Sequence, residues 1–380
     1  MTRILHIADL HLSERSTIAG QIVQAPSGIN LATQDTIDAV VKIVDAARVA
    51  GPVDGIVIAG DLFDSPRPSP QELRIAADLL AYLAGCCVAR RVLLIPGNHD
   101  ELRQASEATA CTPLGWHEAV RLVESPEVVY YAGIRWACLP YPRRSALREV
   151  EGTEDASATE TLSAALSTLA LGMLAQGAQA LVAHCTVGGA TVGAQPRSIE
   201  GDIELASDVL DAYPATLLGH IHQQQKPRAN AAAWYSGSPT VQDFGEEGET
   251  KGGIVWVLDP GNGGFAQPIQ VTGRPWRTID FNAPVAFEIG QSGVVYRVRG
   301  DLPHEDLLAL RANLAKAREA GAFIQDELRL LEADRTRDAD IGRAGIDDTE
   351  ILRRALTARQ VSEDDHERLA LTHAGVVQGG

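Results

Sequence analysis

A chain of 380 residues, 45% hydrophobic and 22% charged, has room for one large soluble domain and a smaller one. It contains no run of 18 apolar residues and does not open on a basic segment followed by an apolar one, which excludes a membrane span and argues against a secretory signal. The formal net charge of -17 excludes an unaided electrostatic grip on nucleic acid, so a polyphosphate substrate would need metal ions, a local basic patch or a partner subunit.

Residues 3–8 read as a buried strand ending in Asp9-Leu10-His11. Alternate side chains of a strand share a face, so Asp9 and His11 are expected to point the same way. His6 falls on the opposite face, as a packed or supporting histidine. A polar loop over 13–30 leads to a helix over 31–50, with Ile37, Val40, Val41 and Val44 at helical spacing and Gly51-Pro52 as its stop. A second strand, Gly55–Ala59, runs into Gly60-Asp61-Leu62-Phe63-Asp64. Ser69-Pro70-Gln71-Glu72 combines a capping box with proline at the first helical position, and starts a helix to about Ala84. The third strand, Val92–Ile95, breaks at Pro96-Gly97 and leaves Asn98-His99-Asp100 at its end. The order β-α-β-α-β predicts a parallel, doubly wound sheet, whose ligands sit outside the carboxyl ends of its strands.

Further on, 128–139 reads as a hairpin around Ala132-Gly133 and 158–176 as a helix. The strand 180–183 ends at His184, and the strand 215–218 ends in Gly219-His220-Ile221-His222. Residues 234–236 and 253–258 look like closing strands, and the glycine-rich stretch 260–264 marks a boundary. That gives a first domain over 1–264 and a small α+β unit over 265–335, built from strands at 276–281, 294–299 and 323–331 and a helix over 303–320. A charged helical segment follows over 336–380. Trp116, Trp136, Trp234 and Trp256 are placed for core. The five cysteines are odd in number and lack CxxC spacing, as expected of reduced thiols in a cytoplasmic protein.

Five strand ends thus deliver Asp9 and His11, Asp61, Asn98 and His99, His184, and His220 and His222 to one edge of one sheet. DxH and HxH each occur by chance; their joint occurrence is what points to chemistry. Imidazole, carboxylate and amide oxygen together suit manganese, iron or zinc. Seven such ligands are too many for one ion but suit two, with a carboxylate bridging them. Two ions roughly 3.5–4 Å apart can activate a shared water and clamp both oxygens of an in-line displacement at phosphorus. His99 need not be a ligand: beside Asp100, which would fix its tautomer and favour its cation, it can stabilise the transition state or protonate the leaving oxygen.

Asp9-x-His11, Gly60-Asp61, Gly97-Asn98-His99-Asp100, His184 and Gly219-His220-x-His222, in this order over residues 1–260, resemble the calcineurin-like metallophosphoesterases. Within them, Ile4–Leu12, Gly60–Asp64, Gly219–His222, Tyr235–Pro239, Asp243–Glu247 and Lys251-Gly252 look most like the SbcD-type DNA exonucleases. The resemblance implies an α/β metallophosphoesterase sandwich, a small C-terminal α+β capping domain and a helical tail. It implies that Asp9, His11 and His222 hold one metal, that Asn98, His184 and His220 hold the other, and that Asp61 bridges. His99 would be the catalytic histidine, oriented by Asp100. The implied activity is manganese-dependent cleavage of DNA alongside an SbcC-type, SMC-like ATPase partner. In that family the partner is gripped by a helical C-terminal segment, here about 345–375, and members commonly dimerise.

Some members carry histidine where this chain has Asp64. Basic residues for a DNA groove are sparse: Arg143 and Arg144 are the named candidates, with Arg197, Lys226 and Arg228 on nearby loops. A small-molecule or cyclic-nucleotide phosphodiesterase is the competing enzyme reading, against which the additional residues after 264 argue. An inactive scaffold is the non-enzymatic one. A protein Ser/Thr phosphatase fits worse, because Ser65-Pro66 follows Asp64 where that group has Arg-Gly.

Overall fold

The computed structural model describes residues 1–102, 108–142, 156–192, 195–196, 203–259, 263–282, 289 and 291–331. Its contacts separate two units, Met1–Gly300 with Leu310–Glu327, and Asp301–Ala309 with Leu328–Gly380.

In the first unit the apolar run after Met1 forms β1 (Thr2–Ile7), followed by α1 (Leu31–Val49), β2 (Gly55–Ala59), α2 (Pro70–Cys86) and β3 (Val92–Ile95). Asn30 caps α1 by accepting from the N–H groups of Ala32 and Thr33, and Ser69 and Glu72 form the capping box of α2. Next come β4 (Val120–Leu122), the hairpin β5 (Glu127–Tyr131) and β6 (Ile134–Leu139), helix α3 (Ala156–Ala175) and β7 (Ala180–His184). Four two-residue strands follow: β8 (Thr186–Val187), β9 (Thr191–Val192), β10 (Gln195–Pro196) and β11 (Glu204–Leu205). Helix α4 (Ser207–Ala212), β12 (Thr216–Gly219), β13 (Ala233–Tyr235), β14 (Gly252–Asp259) and β15 (Gly263–Gln270) complete the main body.

Apart from β8–β11, which form two small two-stranded sheets, these strands make two sheets, the sandwich that the family resemblance implies rather than the single doubly wound sheet suggested by the strand–helix order. The first has the order β15-β14-β1-β2-β3-β4 and the second β13-β12-β7-β6-β5. β1 through β4 are parallel, whereas β14 enters antiparallel beside β1. Alternation along each strand sends Ile4, Ala8, Val57, Ala59 and Leu93 inward, where they pack with Trp136, Val182, Leu217 and Trp256 between the sheets. Leu5, Ile7, Ile56 and Ile58 face α1 and α2, and Leu181, Ala183 and Leu218 pack on the other side with α3 and α4. The result is a four-layer α-β-β-α sandwich. Strands buried on both faces have the same all-apolar signature in a sandwich as in a doubly wound sheet, so periodicity alone does not separate the two.

The chain on either side of the stretch 260–264 pairs within one sheet, from Gly252↔Gln270 to Asp259↔Gly263. β15 carries Pro268 and few β-branched residues and lies at the sheet edge, where proline is tolerated. Trp136 and Trp256 are core as expected and Trp234 packs against it partly buried, but Trp116 is 87% exposed. A further three-stranded sheet has the order β16 (Trp276–Asp280), β17 (Val295–Leu302), β18 (Phe323–Leu330), with α5 (His304–Glu319) between its last two strands in sequence. In the second unit, the Leu331 N–H donates to the Leu302 carbonyl at 2.8 Å. The segment 345–375 lies outside the described residues.

His6 sits in the layer between the sheets, fully buried, with neither ring nitrogen hydrogen-bonded. Burial pushes its pKa down to about 3, outweighing the nearby Leu218 backbone. The unfolded chain takes up this proton near the ordinary 6.5 and the folded chain only near 3, so the stability is complete above pH 6.5 and is lost as pH falls through that window. His6→Leu is expected to flatten this acid slope, by on the order of a few kcal/mol. Urea unfolding of both proteins from pH 6.5 down toward 3 tests it; parallel slopes would reject the assignment.

Candidate metal centre

The ends of β1, β2, β3, β7 and β12 converge, three from one sheet and two from the other. β1 stops at Ile7, so strand alternation does not aim Asp9 and His11. The backbone does: Asp9 (φ 56°), His11 (φ 47°), Asp61 (φ 50°) and His220 (φ 101°) are four of the seven non-glycine residues with positive φ among the described residues. Such conformations cost on the order of 1–3 kcal/mol each and cluster where function needs them. Cross-links hold them in place: the N–H groups of Leu10 and His11 both donate to the Asp61 carbonyl, at 2.8 and 3.1 Å. The glycine before each key residue is a matter of space. A Cβ on Gly60 would collide with the His184 ring, one on Gly97 with the Asp61 carboxylate, and one on Gly219 with the Ala59 carbonyl.

All seven expected ligands meet in one pocket. Asp9, His11 and His222 present ligand atoms within 4.8 Å of one another, and so do Asp9, Asp61 and His184. The Nε2 atoms of His11 and His222 are 3.0 Å apart. Asn98 Oδ1 lies 2.9 Å from both His184 Nε2 and His220 Nδ1. Asp61 Oδ2 stands between the two groups, 3.4 Å from His184 Nε2 and 3.7 Å from His11 Nε2.

The donor set fits divalent cations. Nδ1 of His184 is 2.8 Å from the Ala59 carbonyl, the contact that fixes the tautomer of a metal-binding imidazole and turns the other nitrogen's lone pair inward. Asp9 Oδ1 accepts from the His220 N–H at 2.9 Å, while its Oδ2 is buried with no hydrogen-bond partner. The pocket attracts positive charge. Burial pushes the His184 imidazolium down, yet Asp61 and Asp9 raise its pKa to about 9. Burial likewise opposes charge on Asp61, but His184, His11 and His99 hold it well below the usual carboxylate range. Metal cations compete with protons for such a set.

Asp100 does not orient His99. It is fully buried, and its carboxylate accepts from the backbone N–H groups of Leu62, Phe63 and Gly97, so that it ties the β2 and β3 turns together. Burial, with the Asp61 charge, raises its pKa to about 6. His99 instead meets Asp64, with its Nδ1 3.0 Å from the Asp64 carbonyl and 3.7 Å from the carboxylate. The same carboxylate oxygen is 3.6 Å from His11 Nδ1. At the position where the sequence departs from some family members, the backbone carbonyl hydrogen-bonds the His99 imidazole and the carboxylate adds a charge 3.7 Å away.

Sequence reasoning also passed over Glu246 and Lys251. Glu246 Oε1 lies 2.5 Å from His222 Nδ1, and Lys251, 4% exposed, donates to Glu246, Glu249, Ser238 and the His222 carbonyl. Burial raises the Glu246 pKa, but His222 and Lys251 outweigh it and hold it at about 2. The chain Lys251–Glu246–His222 orients a ligand from behind. The segment containing these residues was visible as a family feature, but their contact spans 24 residues and needs the fold. Arg143, Arg144 and Arg197 lie outside the described residues. Arg228 is paired with Asp211, and Lys226 stacks over Trp234 at 5.6 Å.

A two-sheet sandwich that gathers carboxylates, imidazoles and an amide at its strand ends defines the metal-dependent phosphoesterase class. The model of the calcineurin-like phosphoesterase family matches residues 2–224, and the chain belongs to that family. It is also similar to the SbcD subunit of the nuclease SbcCD from Bacillus subtilis (strain 168), 28% identical over 292 residues that cover 72% of this chain and 71% of that protein.

Proposed function

We propose that this phosphoesterase is a two-metal, manganese-dependent DNA nuclease, the counterpart of SbcD in an SbcCD-type repair complex. The observation that carries the reading is the likeness to the Bacillus SbcD protein, whose aligned 292 residues exceed the 2–224 of the family match. Asp9, His11 and His222 would hold one ion, Asn98, His184 and His220 the other, and Asp61 would face both. Bound there, the ions would supply an activated water and neutralise charge at phosphorus. The chain's own part is to keep those ligands aimed, through the Ala59 carbonyl behind His184 and Glu246 behind His222.

His99, 42% exposed at its side chain, stands at the lip of the pocket with its ring centroid 4.7 Å from that of His11. There it would meet the departing ester oxygen and give it a proton, held by Asp64. DNA and a cytoplasmic SMC-like ATPase would be the partners.

Purified protein with manganese is expected to degrade linear double-stranded DNA faster than it opens a cyclic nucleotide. The reverse preference would favour the small-molecule phosphodiesterase, and inertness toward both with metal bound would favour the scaffold. Deleting 345–380 is expected to abolish capture of the ATPase partner while DNA cleavage persists. Undiminished capture would place the partner surface elsewhere.

A further inference from the structure

A cavity of about 370 Å³ opens directly off the His11, His99 and His222 side of the metal centre. Its far walls come from the loop after β1, from Gln242, and from Trp276 at the start of β16. In a protein of net charge -17 a cavity for a phosphate ester ought to be hostile, but most of its carboxylates face a cation or an imidazole. Asp35 pairs with Arg274 at 2.7 and 2.9 Å, and Glu246 with Lys251 at 2.8 Å. Asp64 stands between two imidazoles, and Asp243 accepts from the Gly245 N–H at 2.6 Å. Arg15 is left over: its exposed guanidinium has no carboxylate partner among the described residues.

The remaining lining sets the aromatic ring of Trp276 and the aliphatic side chain of Ile18 among the hydroxyls of Ser16, Thr17, Thr36 and Thr240. Ile18 is buried, and Trp276 is half-buried and packed edge-to-face on Phe244 with centroids 4.7 Å apart. The Gln242 side chain has no hydrogen-bond partner for its Nε2. An apolar bed, an uncommitted amide and a free guanidinium beside a hydrolytic centre match a ring, its polar edge and the next phosphate along a nucleic-acid strand.

We propose that this cavity receives one unstacked nucleoside of the substrate strand, on the ester arm adjoining the scissile phosphate. Trp276 and Ile18 support the base, Gln242 reads its polar edge and Arg15 contacts the neighbouring phosphate. The inference rests on the phosphodiesterase reading and deepens it. A cavity of this size admits one nucleoside and not a base pair, so a duplex end must fray to enter.

The test uses the full-length protein with manganese and two chromogenic diesters, thymidine 3′-phosphate 5′-(p-nitrophenyl phosphate), which carries the neighbouring phosphate, and bis(p-nitrophenyl) phosphate. The wild type is expected to favour the nucleoside ester in kcat/KM, and Arg15→Ala and Trp276→Leu each to cut that preference roughly fivefold or more. Calorimetric titration with thymidine 3′,5′-bisphosphate gives a readout free of turnover, and the same variants should weaken binding in parallel. Arg15 is exposed, so its variant keeps the proposal testable even if Trp276→Leu unfolds. Wild-type preference and binding in a folded Arg15→Ala protein, or no nucleoside preference in the wild type, would overturn the cleft. DNA cleavage without nucleoside preference rejects the cleft and leaves the nuclease reading standing. Nucleoside preference lost in the variants, without DNA cleavage, supports the cleft and rejects the nuclease.

Discussion

Asp61→Asn is expected to strip the protein of bound divalent metal and of phosphoesterase activity together. The carboxylate does two jobs at once. Its Oδ1 accepts the His99 N–H at 2.8 Å, while Oδ2 lies 3.4 Å from His184 and 3.7 Å from His11, the nearest members of the two ligand groups. Asparagine keeps the shape but removes the charge, and sets an NH2 donor against imidazole lone pairs. Merely losing an orienting partner costs roughly 10–100-fold in metal affinity, so removing the shared ligand should exceed about 100-fold. Turnover should fall by about 1000-fold, since the ions carry several kcal/mol of transition-state stabilisation. Metal analysis after gel filtration, with kcat/KM on a generic diester, measures both. A variant that kept full metal and full rate would refute the bridging assignment.

The difference between what the sequence disclosed and what it hid has a physical pattern. Val92–Ile95 and Gly55–Ala59 were readable because short apolar runs ending in turn residues are local signals. The proposed ligands are legible because each sits at such an end. The second sheet is legible through the family resemblance but not through periodicity, because Trp136 and Trp256 look like any core tryptophan until two faces meet across them. Asp9 and His11 were rightly grouped but for a mistaken reason, since their left-handed backbones, not strand alternation, bring them together. Asp100 was misread because a carboxylate next to a histidine in sequence says nothing about which way either points. Its oxygens are consumed by the N–H groups of Leu62 and Phe63, 38 and 37 residues away in the chain, and by that of Gly97. Asp64, Glu246 and Lys251 act through contacts that only folding creates.

His99→Ala should separate chemistry from metal binding. The link between His99 and Asp61 runs through the backbone N–H, which alanine retains, and the imidazole makes its hydrogen-bond contact with Asp64. Bound metal should therefore match the wild type. Cleavage of DNA should fall roughly 100–10,000-fold, the range for removing a positioned general acid. The two roles open to His99 predict different substrate dependence. If it protonates the leaving oxygen, a p-nitrophenyl ester, whose leaving group departs without a proton, should lose far less rate than DNA, whose alkoxide needs one. If it stabilises charge on the phosphorane oxygens, both substrates should suffer alike. Asp64→Asn offers the matching control, because it leaves the imidazole and its hydrogen bond to the backbone carbonyl in place and removes only the carboxylate charge 3.7 Å away, and should fall between the wild type and His99→Ala on DNA. Unchanged DNA cleavage by a metal-replete His99→Ala protein would remove His99 from the mechanism altogether, and would turn the search for the proton donor to the solvent side of the same pocket.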